Sequence, residues 1–336
     1  MNKKVSVAIP CRNEVASISA CVESILASDY PELDITVVDG MSDDGTREVL
    51  QELSEKYPNV KMVDNPEQLT PYAFNYGVKN SDGFYLQIVG SRNNLAKDYI
   101  SKLVEVLEND IEISCVGGDY QHSFETSTSK YIAWAMECKF GVGGDNYRIK
   151  KKSCYVDTVG VPMYRRSIFN EIGYFDERLT RNQDDDFNYR VIQAGHKIFY
   201  VADAKVKYLV RGTYKKLYKQ MSQYGYFKIF VNKKHKTVTT LRQVVPALFL
   251  LFLILGPLIS LLFRPFFMVY FFVVFFYGAL GFLSASGVTK QLNEIVKVQW
   301  AMFVMHVGYG HGYLKGILDF ILLGKSPAGN MQKQTT

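Results

Sequence analysis

The sequence predicts an α/β protein built on a parallel sheet, followed by a C-terminal pair of membrane-crossing helices. Three features of the 336-residue chain carry this expectation. Short β-rich runs alternate with helical runs over the first 90 or so residues, the pattern of a sheet with helices on both faces. Residues 173–190, GYFDERLTRNQDDDFNYR, concentrate acid more than any other stretch. Beyond residue 243 the composition turns to Phe, Leu, Val and Gly.

Taken in order, residues 5–9 read as a strand stopped by Pro10, and residues 16–27 as a helix. Residues 34–38 form the next strand, followed by a Gly/Ser/Asp turn and a helix over 46–57. The alternation continues through 61–63, 71–79 and 84–89. In such sheets ligands bind at the carboxyl ends of the strands. Those ends are residues 10–14, 39–46 and 90–94. Further on, helices are expected near 97–107 and 130–138, with strands at 113–116, 156–161 and 197–201. Gly141, Gly143 and Gly144 suggest a loop beside the site.

The turn VVDGMSDDGT places Asp39 where a carboxylate can accept hydrogen bonds from a ribose hydroxyl or a base N–H. An Asp-rich turn with Thr46 capping the next helix explains the same residues. It is neither a dinucleotide fingerprint nor a P-loop, since the glycines are single and no Gly-Lys-Ser/Thr follows.

Asp184, Asp185 and Asp186 precede an apolar pattern (Phe187, Val191, Ala194) that ends at Gly195, which puts the acids on the first turn of a short helix. Carboxylates are favourable there, and Asp186 can pair with Arg190 four residues on. Capping needs one aspartate. Three consecutive ones repel, which is tolerated mainly where a carboxylate is presented to something outside the helix.

The net charge of +6 is modest, but residues 211–242 hold nine Lys and Arg and no Asp or Glu. The run is rich in Tyr and Phe and adjoins a hydrophobic span, so a juxtamembrane belt on anionic lipid explains it better than nucleic acid. Five cysteines without CxxC spacing indicate free thiols, not a disulfide framework or a zinc site. The N-terminal apolar run is too short for a signal peptide, so a cytosolic N-terminal domain is expected.

Residues 244–263 carry no charge and are long enough to span a bilayer; Arg264 and Pro265 break the run, and residues 266–289 form a second uncharged stretch. A weaker third stretch, 298–314, contains Gly308, Gly310, Gly312, His306 and His311. The expected organisation is a catalytic domain over 1–208, a basic interface segment over 209–243, membrane helices over 244–323 and a tail over 324–336. The positive belt places the first domain on the cytoplasmic side of the inner membrane.

With these pieces in place, the chain resembles glycosyltransferase family 2, the inverting GT-A enzymes with a Rossmann-like nucleotide-diphospho-sugar domain. The likeness runs in order through VSVAIPCRNE, VVDGMSDDGT, Pro71 with Asn75 and Gly77, residues 157–166, IGYFDE, QDDDFNYR and AGHKIFYV. The acidic helix and membrane tail look most like the succinoglycan-type branch, which builds bacterial exopolysaccharide on a lipid carrier. The resemblance implies that Asp39, Pro10, Asn13, Glu14, Ser42, Asp43 and Asn75, with Gly90 and Arg92, face the nucleotide-sugar donor. Counted back from Arg190, it makes Asp184 the base, with Asp185 as runner-up; Asp186 and Arg190 support the acceptor or the helix. Implied partners are a UDP-linked sugar, a lipid-linked acceptor, the membrane and other polysaccharide assembly proteins.

One departure stands out. The family normally ends its fourth strand in Asp-x-Asp or Asp-x-His, which holds Mg²⁺ or Mn²⁺ against the leaving diphosphate. Here the sequence is IVGSRNN, with Gly90 and Arg92 at those places. The metal ligands are therefore unknown: metal-free transfer assisted by Arg92, a site rearranged around Asn93, Asp119 or His122, and a non-catalytic sugar-nucleotide-binding subunit all remain open. A polyprenyl-phosphate sugar synthase is the alternative enzyme.

Overall fold

The computed structural model describes residues 3–143, 152–210, 212–237 and 243–327; Gly144, Arg211, Arg242 and residues 328–336 of the expected tail lie outside them. In chain order the first half runs β1 (Val5–Cys11), α1 (Ile18–Leu26), β2 (Leu33–Asp39), α2 (Thr46–Lys56), β3 (Val60–Asp64), α3 (Thr70–Lys79), β4 (Tyr85–Ile88), β5 (Asn93–Leu95), α4 (Tyr99–Asn109) and β6 (Ile113–Ser123). Then follow α5 (Ser127–Glu137), α6 (Lys139–Val142), β7 (Cys154–Val156), β8 (Gly160–Arg165), α7 (Ser167–Ile172), α8 (Gln183–Gln193) and β9 (Lys197–Leu209). The chain continues through α9 (Tyr214–His235), α10 (Val245–Leu262), α11 (Phe266–Ala285), α12 (Leu292–Gly316) and a π-helical turn, Ile317–Leu322.

The strands form one nine-stranded sheet in the order β3-β2-β1-β4-β8-β6-β9-β5, with β7 also paired to β9. β1 to β4 are parallel, as their alternation with helices requires. β8 runs against both β4 and β6 and makes the sheet mixed. This reversal matters for the site. β8 begins at the edge where β1, β2 and β4 end, and the Gln87 amide on β4 donates to the Val161 carbonyl at 2.8 Å.

The buried strands carry near-continuous apolar runs because helices cover both faces. On one face Ile18, Val22 and Ile25 of α1 and Ile100, Leu103 and Leu107 of α4 meet the sheet, all essentially inaccessible. On the other, α3, α7 and α8 pack through Phe74, Phe169 and Phe187. Phe187 stacks on Phe175 at 4.4 Å and on Phe169 at 4.9 Å, and meets Tyr164 edge-on at 5.1 Å. Burying such a ring contributes roughly 1.5–3 kcal/mol, and these contacts fix the angle at which α8 leaves the sheet.

α10 and α11 are long and apolar enough to cross a membrane, and most of their side chains face outward. α12 differs: its glycines let it close onto α9. A Cβ at Gly312 would collide with the Ser222 carbonyl, and one at Gly308 or Gly316 would crowd the Tyr218 or Tyr226 carbonyl. Small residues four apart bring the two backbones together over several turns.

The basic segment is divided between the protein interior and its surface. α9 buries one face. Leu217, Met221, Phe227 and Val231 are buried, and Lys228 and Lys234 turn inward to acids of α8 and the loop before it. Lys215, Lys216, Lys219, Lys233 and Lys236 remain exposed.

Candidate active site

Two polar clusters lie along the carboxyl edge of the sheet. The first grows from β1 and β2, whose register pairs Cys11 with Asp39. Asp39 is fully buried and accepts from the Ser42 amide (3.0 Å), the Ser42 hydroxyl (2.5 Å) and Arg47 (2.7 Å). The Asn13 amide donates in turn to the Ser42 hydroxyl at 2.9 Å, while the Asn13 side chain exchanges hydrogen bonds with Asp43. Asn13 takes a positive φ of 53°, a conformation that Asn tolerates better than most residues. The next amide, of Glu14, donates to Thr46 Oγ1 at 2.9 Å. Pro10 and the β1 terminus thus form one rigid loop with the β2 turn.

Gly90 and Arg92 lie just past β4, next to this loop. Arg92 Nε donates to both carboxylate oxygens of Glu14 at 2.8 Å. The Gly90 carbonyl accepts from the Asn93 amide at 2.9 Å.

The second cluster is the first turn of α8. Asp186 points inward, is fully buried, and is ringed by Arg190 (3.2 Å), Lys234 (2.7 Å) and His235 (2.8 Å). Arg190 also donates to the Ile172 and Tyr174 carbonyls, clamping the preceding loop. Asp185 accepts from Lys228 and the Asn182 amide, both at 2.9 Å. Among the described residues Asp184 has no cationic partner within ion-pair distance. The residue is exposed and lines a cleft, where the surrounding protein atoms desolvate its carboxylate and Asp185 repels it. Together these push its pKa up to about 6.

That cleft, of roughly 890 Å³, spans from Asp184, Asp185 and Thr158 to Phe249, Tyr277 and Met305 on α10, α11 and α12. Its wall is held by His306, which bridges the Tyr277 hydroxyl (2.8 Å) and the Phe140 carbonyl (3.0 Å). Asn182, at the N-terminal boundary of α8 with a φ of 59°, lines the cleft and has a buried side-chain oxygen without a hydrogen-bond partner among the described residues. Thr158 and Val159 lead directly into β8. The acidic cleft is therefore three strands from Asp39, about 14 Å along the sheet at the usual strand spacing.

Asn75 lies apart from both clusters. It is buried in α3, and its amide is spent on the Phe175 carbonyl (3.0 Å), the Glu177 carboxylate (2.9 Å) and the Phe175 N–H (3.0 Å). It ties α3 to the loop before α8, which leaves one acceptor site on its oxygen for any contact with a donor.

The residues at the end of β4 do not fit a divalent cation. The adjacent carboxylate, Glu14, is occupied by Arg92, whose fixed charge would repel a metal. Asp119 is engaged by Tyr200 (2.7 Å) and Lys205 (2.9 Å), and His122 by Glu137 (3.3 Å). Among the described residues no three His, Cys, Asp or Glu side chains converge as a metal site. Asn182, Thr158 and Lys228 were missed in the sequence because nothing local marks them; only the fold brings them to Asp184.

A mixed sheet with an aspartate turn at one side of its carboxyl edge and an acidic helix over a cleft at the other defines a GT-A glycosyltransferase. The sequence model of glycosyl transferase family 2 matches residues 6–173, and the chain belongs to that family. It is 28% identical to the succinoglycan biosynthesis protein ExoA of Rhizobium meliloti, across 94% of this chain and 95% of that one. It is 29% identical to a dolichyl N-acetyl-alpha-D-glucosaminyl phosphate 3-beta-D-2,3-diacetamido-2,3-dideoxy-beta-D-glucuronosyltransferase of Methanococcus voltae, over 66% of this chain and 71% of the relative. The mannosyltransferase PcManGT of Pyrobaculum calidifontis, solved with GDP-Man and Mn²⁺, superposes with a TM-score of 0.58 over 94% of this chain and 88% of that one, at 15% identity.

Proposed function

We propose that the protein is a membrane-anchored inverting glycosyltransferase that moves a sugar from a UDP-linked donor to a lipid-linked saccharide during exopolysaccharide assembly. The observation that carries this reading is the single cleft running from Asp184 to apolar side chains of α10, α11 and α12. A lipid carrier lying among those side chains would present its sugar to the acidic turn. The succinoglycan and dolichyl-linked relatives agree with such an acceptor. The hairpin α10–α11 anchors the chain in the inner membrane, and the basic residues before it set the catalytic domain on the cytoplasmic side.

In this reading the donor's nucleoside lies against Asp39 and Asn13, and the acceptor hydroxyl lies against Asp184. The hydroxyl oxygen attacks the anomeric carbon from the face opposite the diphosphate. Its proton passes to Asp184, the glycosidic bond forms, and the bond to the diphosphate oxygen breaks with its electron pair leaving on the nucleotide. A carboxylate with a raised pKa is the better base for this step. Asp185 is a positioning residue, its charge offset by Lys228.

The test uses full-length protein in detergent with labelled UDP-sugars and either a polyprenyl-diphosphate-linked saccharide or a polyprenyl monophosphate. Transfer to the saccharide with inverted anomeric configuration supports the reading. A monosaccharide on lipid monophosphate would identify a polyprenyl-phosphate sugar synthase instead, and donor binding without turnover on either acceptor would identify a binding subunit.

A further inference from the structure

Where a GT-A enzyme of this family would place a metal-binding carboxylate, this chain places a guanidinium. We propose that Arg92, oriented by Glu14, neutralises the diphosphate as it leaves, so that donor binding and transfer proceed without a divalent cation. This rests on the nucleotide-sugar donor proposed above.

The argument starts from position. β1 and β4 are adjacent and parallel, with Ala8 opposite Ile88, so the loops after them emerge side by side. Arg92 follows β4 and Glu14 follows β1. A hydrogen-bonded path then leads from the arginine to the nucleoside side of the site: Arg92 to Glu14, the neighbouring Asn13 amide to Ser42, and Ser42 to Asp39. The guanidinium and the buried aspartate are thus two ends of one braced loop pair.

The way Arg92 is held matters as much. Glu14 takes only Nε, so the two Nη groups have no hydrogen-bond partner among the described residues. The Arg92 side chain is 23% exposed and that of Glu14 15%, so the pair is sheltered but reachable. A guanidinium anchored through Nε presents its outer edge as a planar fork, the geometry that binds two phosphate oxygens at once. As the bond to the sugar breaks, negative charge grows on the diphosphate. A fixed, permanently charged donor pair can stabilise that charge without reorganising.

The experiment measures binding as well as turnover. Full-length protein is titrated with UDP and with uridine, in excess EDTA and in Mn²⁺, and GDP with guanosine serves as the second pair. We expect UDP to bind equally well with EDTA and with Mn²⁺, and transfer to survive EDTA. Arg92→Ala should weaken UDP roughly ten- to a hundredfold, the worth of charge-assisted hydrogen bonds, while uridine affinity stays unchanged and reports an intact fold. Arg92→Lys should fall between the two. Loss of UDP binding or transfer in EDTA overturns the proposal, as does equal weakening of UDP and uridine in Arg92→Ala. If neither nucleotide binds the wild type in any condition, the donor reading itself falls.

Discussion

Replacing Asp184 by asparagine separates catalysis from stability, because the two should move in opposite directions. An amide keeps the shape of the carboxyl but cannot take a proton, and losing a general base costs roughly 10²- to 10⁴-fold in rate. The pKa of about 6 also sets the wild-type pH profile. The base works ionised, so kcat/KM should rise through pH 6, reach a plateau by about pH 7.5 and lie about tenfold lower at pH 5. Stability follows the opposite sign. The folded-state pKa lies above the ordinary value of 3.8, so folding favours the neutral acid and stability is lost as pH rises from about 4 to about 6.

At about 1.4 kcal/mol per pH unit, a shift of roughly two units would cost about 3 kcal/mol in a dry site. The cleft is open to water, and screening reduces this to about 1 kcal/mol. Asp184→Asn should therefore be inactive yet about 1 kcal/mol more stable than wild type at pH 7.5, the gain shrinking toward pH 4. Transfer assays and chemical unfolding in detergent at several pH values check both. A rate that is flat from pH 5 to 7.5, a variant retaining a tenth of the activity, or one less stable at pH 7.5 than wild type would refute the reasoning.

Other substitutions probe the remaining parts. Asp186→Asn should cost about 1–3 kcal/mol, since it removes the buried carboxylate that half-buried Arg190 and His235 share while Lys234 keeps Asp176 at 2.7 Å; thermal unfolding reads this directly. Gly312→Ala should lower stability by about 1–3 kcal/mol by forcing α9 and α12 apart at Ser222, and transfer should fall with it while affinity for UDP holds. Asp39→Ala should weaken UDP at least tenfold and lower stability by about 1–3 kcal/mol, because the Ser42 amide and hydroxyl lose their acceptor while Arg47 retains Asp64 at 2.8 Å; calorimetry and chemical unfolding would show the two effects.

The parts of this architecture that are local were legible in the sequence. The second strand's end beside Asp39, the acidic first turn of α8 and the uncharged runs of α10 and α11 all follow from short-range pattern, whereas β1 runs through Pro10 to Cys11 instead of stopping at residue 9. What escaped depends on distant pairing. That Lys228 and Lys234 turn inward was not legible, because the acids they meet, Asp176, Asp185 and Asp186, lie some 40 to 60 residues earlier. The tie from Asn75 to Phe175 and Glu177 joins residues about a hundred positions apart, which no local pattern announces. The reversal of β8, which brings Thr158 to Asp184, has no signature in its own residues.

The glycine seam between α9 and α12 has a consequence for the reaction's geometry. Lys228 and Lys234 fasten the acidic turn to α9, and α12 is pressed against the same helix and packs on the hairpin. With that hairpin in a bilayer, the base would be held at a set height above the lipid. Such an enzyme acts as a gauge: a glycan whose terminal hydroxyl stands too near or too far from its carrier would miss Asp184, and chain length itself would select the acceptor.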